Sequence, residues 1–371
     1  MLAYLFIAFI VIISIQCIYY LLIFGNFSFS KNITKQNKFK LPVSVIICSK
    51  NEADNLTENI PFFINQDYPD FELVLINDNS YDNTLEVIKE FKKKYPTIIK
   101  IVDVAAPNEQ FWGSKKYALT LGIKAAKNEY LLFSDADCKP ISKNWIQQMC
   151  NNFTQTHQIV LGYGAYKKIR KSLLNKLIRF ETLLTAIQYF SFTKIGMPYM
   201  GVGRNLAYTK TTFFKANGFV NHMHLIKSGD DDLFVNQVAT KKNTTYTVNP
   251  ESFTISKPKI TFKEWMLQKR RHISTASHYK QKDQFILGLF YSSQILFWLL
   301  GIILLSFQFN WIIVSSLMVF RLITVYLSVG YAAKKFKEND LIFLVPLYEL
   351  LLIFIQMIIF IKNLTSKPRH W

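Results

Sequence analysis

Residues 130–140 read YLLFSDADCKP, and they say more about this chain than any other stretch. Leu131-Leu132-Phe133 is an apolar run of the kind a buried strand shows. It ends in Ser134 and then in two carboxylates one residue apart, Asp135 and Asp137, with small Ala136 between them and Pro140 closing the segment. A loop at the end of a buried strand can hold two carboxylates around one hard divalent cation. Mg²⁺ suits such a site, taking one or two carboxylates plus substrate phosphates. The plain alternative is a strand-end turn rich in aspartate, and an isolated D-x-D says no more than that. Its neighbours along the chain carry the argument further.

Upstream, three more strand patterns alternate with helical ones. VSVIIC (43–48) leads into the polar loop SKNEADN and a helix to about Gln66. ELVLIN (72–77) leads into DNSYDNT and the helix LEVIKEFKKKY. KIVDVA (100–105) leads through a loop to the helix KKYALTLGIKAA, and LLFSDAD follows. Alternation of this kind predicts right-handed crossovers and a mostly parallel sheet with flanking helices, an α/β fold. Ligands of such sheets sit beyond the carboxyl ends of the strands. The loops at 49–55, 77–84, 106–115 and 134–139 all fall on that edge. No G-x-G-x-x-G follows the first strand, which argues against a dinucleotide site.

Composition adds a membrane. Half of the 371 residues are hydrophobic, and they are unevenly placed. Residues 2–24 and 285–320 carry no charge, and a third run extends from Leu341 past Glu349 to Ile361, broken only by that carboxylate. A membrane helix needs ~20 apolar residues. One transmembrane anchor is expected over 1–25 and about three helices over 284–371, at 285–306, 309–330 and 341–361. The first segment lacks a basic leader and a small-residue cleavage site, so an uncleaved anchor is expected. Between them the chain divides into a basic linker (26–40), an α/β domain (41–255) and an amphipathic interfacial stretch (256–283). Lys31, Lys35, Lys38 and Lys40 follow the first helix and place the middle region in the cytoplasm. Lys334, Lys335 and Lys337 mark a second cytoplasmic loop. Lys362, Lys367 and Arg369 then fall outside, against the same rule; either the last helix is re-entrant or the rule is weak here. The net charge of +19 suits a domain held against anionic lipid and drawn to nucleotide phosphates, rather than a nucleic-acid binder. Cys17, Cys48, Cys138 and Cys150 have no metal or disulfide spacing, as expected of reduced thiols.

Each loop residue has two readings. Asn51, Glu52 and Asp78 can hydrogen-bond a base and a ribose, or cap helices and form turns. Lys115 can neutralise phosphate or lie solvated, and Lys116 is expected to be solvated. Gly229-Asp230-Asp231-Asp232 crowds three carboxylates, which raises at least one pKa and suits a general base; otherwise it is a solvated first turn of a helix. FKEWMLQKRRHISTASHYKQK (262–282) reads as a basic helix in the membrane interface. Its Gln268 and Arg271 either reach the site, where arginine steadies phosphate charge, or face headgroups. His222 and His224 read as a loop pair, and Gly201–Asn205 as a tight turn at a strand edge.

Together these stretches resemble the inverting family-two glycosyltransferases with a GT-A fold, above all the membrane-embedded branch of ceramide glucosyltransferases, cellulose synthases and hyaluronan synthases. The resemblance covers residues 41–280 and recurs in order at six places. It implies that Glu52 in VSVIICSKNEADN meets the nucleoside and that Asp78 in NDNSYDNT recognises the base. GSKKYALTLGI supplies Lys115; SDADCKP supplies Asp135 toward the nucleotide and Asp137 toward the metal. GRNLAY is the acceptor-side strand. GDDDLFVNQ makes Asp231 the base with Asp230 beside it, and QKRRH brings Gln268 and Arg271. Cys48 stands where proline is usual, Thr120 where asparagine is common, and His272 where tryptophan is usual; that last change weighs against polymer synthesis. The resemblance further implies a nucleoside-diphosphate sugar donor, most simply a UDP-sugar, a Mg²⁺ or Mn²⁺ cofactor, a membrane lipid or lipid-linked glycan acceptor, contact with membrane lipids and none with nucleic acid. A non-catalytic sugar-nucleotide sensor and a transporter subunit are the rivals. The retained acidic residues oppose the first. The scarcity of intramembrane charge, Arg321 and Glu349 being the main exceptions, opposes the second.

Overall fold

The computed structural model describes residues 1–31, 40–104, 115–224 and 228–366. Lys35, Lys38, Lys367, Arg369 and nearly all of the 106–115 loop lie outside the described residues. The chain forms two compact units: Asn32–Lys171 with Gly196–Ile260, and Met1–Lys31 with Ser172–Ile195 and Thr261–Arg369.

The first unit is a sheet unit. Its strands are β1 (Val43–Ser49), β2 (Phe71–Asp78), β3 (Ile99–Val104), β4 (Tyr130–Asp135), β5 (Cys138–Pro140), β6 (Ile159–Leu161), β7 (Gly164–Tyr166), β8 (Leu206–Thr209), β9 (Thr244–Tyr246) and β10 (Thr254–Ser256). Seven of them lie in the order β3-β2-β1-β4-β8-β6-β9, and β5-β10-β7 form a second, smaller sheet. β3, β2, β1 and β4 are mutually parallel. β8 runs antiparallel to both β4 and β6. The expected parallel sheet is therefore extended by a mixed half that short strands had hidden from the sequence.

β1 reads as one apolar run because both its faces are covered, the usual state of a central parallel strand. Below it the helix Ala53–Ile64 buries Leu56, Ile60, Phe63 and Ile64, one stripe at helical spacing. These pack with Val45, Leu75, Leu132 and Trp145 in the main core. The helix Lys115–Ala125 packs close to the sheet because Gly122 carries no side chain: a Cβ there would fall 2.2 Å from Cδ1 of Ile76. That approach sets Lys115, the first helical residue, at the carboxyl rim. Register brings the rim together, with Cys48 opposite Asp135 and Ser49 opposite Asn77.

The second unit holds four helices long and apolar enough to cross a membrane: Leu2–Ser28, Gln281–Ser306, Trp311–Lys335 and Asn339–Thr365. A buried polar network joins all four. Arg321 Nη1 donates to Glu349 Oε2 at 2.6 Å, and Nη2 donates to Gln16 Oε1 at 2.6 Å. Gln294 Nε2 donates to Glu349 Oε1 at 2.9 Å, and Tyr20 lies against the same carboxylate. The two intramembrane charges thus neutralise each other and are hydrogen-bonded, the condition under which such charges persist in hydrocarbon. Two further helices, Leu173–Lys194 and Phe262–Thr275, belong to this unit. Arg179 of the first pairs with Glu338 and Asp340, at the start of the last apolar helix. Lys269 of the second pairs with Glu181. Its neighbour Arg270 donates to Asn363 Oδ1 at 2.9 Å, at the far end of that last helix.

Candidate active site

Two loops are stitched together at the rim. Asn51 N–H donates to Ser80 Oγ at 3.0 Å, and Asn51 Oδ1 accepts from Tyr81 N–H at 2.8 Å. Glu52 N–H donates to Thr84 Oγ1 at 2.8 Å. Asn51 and Asn79 adopt positive φ, 56° and 47°, a region asparagine tolerates better than most residues. This side-chain bonding explains why these loops are built from Asn, Ser, Thr and Asp. It presents Glu52 and Asp78 at the end of the sheet. Asp78 is buried. Burial pushes its carboxyl above the usual range, against the pull of Lys50 and Lys115. Glu52 accepts from Asn55 Nδ2 at 2.6 Å. Its carboxyl is also raised, first by burial, with Asp137 and Asp135 adding to it.

At the centre stands Lys115. Its Nζ lies 2.8 Å from Asp135 Oδ1 and 3.1 Å from Asp230 Oδ2. Burial opposes the ammonium charge, but the two carboxylates outweigh it and hold Lys115 well above its ordinary pKa. Burial likewise opposes the charge on Asp135, and Lys115 brings its carboxyl below the usual range. One lysine thus ties the end of β4 to the acidic run at 230–232, residues about a hundred positions apart. Lys115, Asp135, Asp230 and Asp231 line one open cleft, together with Ile46, Phe133 and Tyr208.

Asp231 is held differently. Its Oδ2 accepts from Gly203 N–H at 2.6 Å and its Oδ1 from Asp232 N–H at 2.8 Å. Two backbone donors fix the plane of the carboxylate and leave lone pairs for the cleft. Burial, then the charges of Asp232 and Asp230, push its pKa up to about 8. Asp135 and Asp231 line one cavity with acidities driven in opposite directions, the pattern by which one site keeps one carboxylate ionised and another mostly protonated near neutral pH.

Asp137 has donor atoms within 4.8 Å of those of Asp135 and Cys138. Burial and the charge of Asp135 raise its carboxyl. Two crowded carboxylates are a fitting oxygen set for a hard divalent cation. The Cys138 thiol donates to Asp137 Oδ1 at 3.3 Å and is pushed well above its ordinary pKa, first by burial.

Lys115, Asp135, Asp137, Asp230 and Asp231 are therefore brought together, with Glu52 and Asp78 on the same rim. Gln268 and Arg271 sit on the helix Phe262–Thr275 of the other unit. One expectation fails: Lys116 is fully buried rather than solvated, and its Nζ donates to the His222 carbonyl at 2.7 Å. Burial lowers its pKa to about 8. Sequence reading also missed the Gly203 N–H, a backbone donor with no compositional signature beyond the glycine itself.

The chain is 36% identical over 95 residues to a poly-beta-1,6-N-acetyl-D-glucosamine synthase of Staphylococcus epidermidis, an alignment covering 26% of this chain and 21% of the relative. It is 28% identical over 205 residues to the dolichyl N-acetyl-alpha-D-glucosaminyl phosphate 3-beta-D-2,3-diacetamido-2,3-dideoxy-beta-D-glucuronosyltransferase of Methanococcus voltae, covering 50% of this chain and 62% of the relative. Each alignment therefore spans less than two thirds of the relative's length. Among solved structures, a mannosyltransferase from Pyrobaculum calidifontis in complex with GDP-Man and Mn²⁺ superposes with a TM-score of 0.60 at 16% identity, covering 91% of this chain and 99% of that one. That likeness shows a shared GT-A fold. The family described as Glycosyl transferase family 2 matches residues 44–232, just over half of the 371 residues and the whole span from β1 to the acidic run. On that match the chain belongs to glycosyl transferase family 2.

Proposed function

We propose that this chain is a membrane-anchored, cytoplasm-facing inverting glycosyltransferase that moves a sugar from a nucleoside-diphosphate donor, a UDP-sugar in the simplest case, to a membrane lipid or lipid-linked glycan. The observation that carries this reading is the shared cleft, in which Asp231 faces the same space as the Lys115–Asp135–Asp230 cluster. Family membership supports the reaction class, and the printed name of the M. voltae relative supports a lipid-linked acceptor.

In this reading Glu52 and Asp78 hold the nucleoside at the rim. Lys115 brings positive charge to the diphosphate. Asp231, fixed by the Gly203 and Asp232 N–H groups, takes the proton from the acceptor hydroxyl as its oxygen bonds to the anomeric carbon. The bond from that carbon to the diphosphate breaks in the same step, so the configuration inverts and no sugar–enzyme intermediate forms. A divalent cation, Mg²⁺ or Mn²⁺, held by Asp135 and Asp137 supplies further positive charge to the leaving group when bound. Asp230 keeps Lys115 in place.

His272 in place of tryptophan favours a single addition over polymer growth. The test is a panel of nucleotide sugars offered to the purified protein in lipid, with and without Mn²⁺, and mass spectrometry of the product. One added sugar, dependent on metal, is expected. A ladder of products would make the chain a processive synthase, and no turnover with any donor would leave a sugar-nucleotide sensor.

A further inference from the structure

Arg204 has no part in the mechanism above, yet its side chain is held from two sides. Its guanidinium lies on the ring of Tyr166, with Cζ 4.3 Å from the centroid. Nη1 donates to Ser256 Oγ at 3.1 Å. Its backbone carbonyl accepts from Thr254 Oγ1 at 2.9 Å and from Ser134 Oγ at 3.3 Å, and Ser134 is the residue before Asp135. Gly164 makes the room: a Cβ there would fall 3.0 Å from Arg204 Cβ and 3.3 Å from its Nε.

The small sheet explains this seat. β10 pairs with β7 so that Thr254 lies opposite Gly164 and Ser256 opposite Tyr166. Residues two apart share a face of a strand, so one face offers Gly164, Tyr166, Thr254 and Ser256 to a single side chain. On the other side of β10, Ser256 lies opposite Cys138, the residue after Asp137. The sheet thus cradles one arginine at the edge of the Asp135–Asp137 turn.

A guanidinium has five N–H donors, and the Arg204 side chain makes one hydrogen bond among the described residues. Asp135 and Asp137 are near enough to act on its charge, but no ion pair ties it to either. A planar cation that is stacked, oriented and still rich in open donors matches phosphate oxygens. The geometry points to Arg204 as a phosphate-binding residue of this site, taking an oxygen of the donor diphosphate or of a lipid-linked acceptor's phosphate. This rests on the nucleoside-diphosphate-sugar reading only for the donor arm.

The test uses the full chain in nanodiscs with Mn²⁺ and four kinds of probe: UDP and GDP, their nucleosides, dihexanoyl phosphatidic acid, and dihexanoylglycerol. In Arg204→Gln, affinity for a phosphate probe should fall roughly 10- to 100-fold, the usual weight of a charge-assisted hydrogen bond, while its phosphate-free counterpart binds as before. Arg204→Lys, which keeps the charge and loses the fork, should fall between. A loss confined to the nucleotides assigns the donor diphosphate, and one confined to phosphatidic acid assigns the acceptor. If Arg204→Gln binds every phosphate probe like the wild type, or loses the nucleoside as fully as the nucleotide, the inference is overturned. A wild type that takes no nucleotide overturns the donor reading. The inference then stands if phosphatidic acid binds through Arg204 and falls if it does not.

Discussion

Asp231 illustrates what burial and like charges do to a single residue. A general base must be ionised to accept a proton. With its pKa raised to about 8 by burial and by Asp232 and Asp230, the group is protonated in most molecules at neutral pH. kcat/KM should therefore climb with pH and level off above about 8, and a pH–rate profile checks this. The same shift acts on stability with the opposite trend. The folded chain holds a proton that the unfolded chain, with an ordinary aspartate, releases at lower pH. The contribution is complete below the ordinary value and is lost as pH rises through the folded value. Denaturation midpoints of Asp231→Asn should lack that decline. At this scale the sequence was half legible. Three adjacent aspartates announce a raised pKa. Lys116 was misread because neighbours on a helix point about 100° apart, and nothing local reveals that Lys116 meets the carbonyl of His222, far along the chain.

At the scale of elements, the helix Lys115–Ala125 depends on its glycine. Gly122→Ala would press a methyl group toward Ile76, 2.2 Å from Cδ1 and 2.9 Å from Cγ1. Overpacking of this kind costs ~1–3 kcal/mol, visible as a lowered thermal midpoint. It should also weaken donor binding by shifting Lys115. The matching change Gly288→Ala enters open space within an apolar helix and should cost nothing, since alanine is the better helix former. The parallel strands were legible because each is an unbroken apolar run followed by a polar loop and an amphipathic helix. The small sheet was not. Its strands have three residues each, too few to show a period, and β5 and β10 are separated by more than a hundred residues. The seat of Arg204 was hidden for the same reason.

Across the whole molecule, the four apolar helices were legible from length and composition, and Arg321 and Glu349, the two charges read within them, pair with each other. Charge counting left the last helix in conflict with its basic tail. Contacts within the membrane unit speak to that conflict. The start of this helix pairs with Arg179, and its end bonds to Arg270. Arg179 and Arg270 belong to helices that are themselves joined by Glu181 and Lys269. Both ends of the last helix are thus tied to one linked pair of helices, as in a re-entrant or interfacial segment. A fluorescent protein fused after Trp371 should then be bright in the cytoplasm, and alkaline phosphatase fused at the same point should be inactive. Active phosphatase would mean a full crossing.

The central claim is that carboxylates distant in sequence converge on one donor site and divide the work there. The most direct measurement pairs sugar transfer with donor binding in Asp231→Asn. The account predicts transfer reduced to background while the nucleotide sugar binds with nearly unchanged affinity, because the variant removes the proton acceptor and leaves Lys115, Asp135 and Asp137 in place. Transfer by Asp231→Asn at close to the wild-type rate would contradict it.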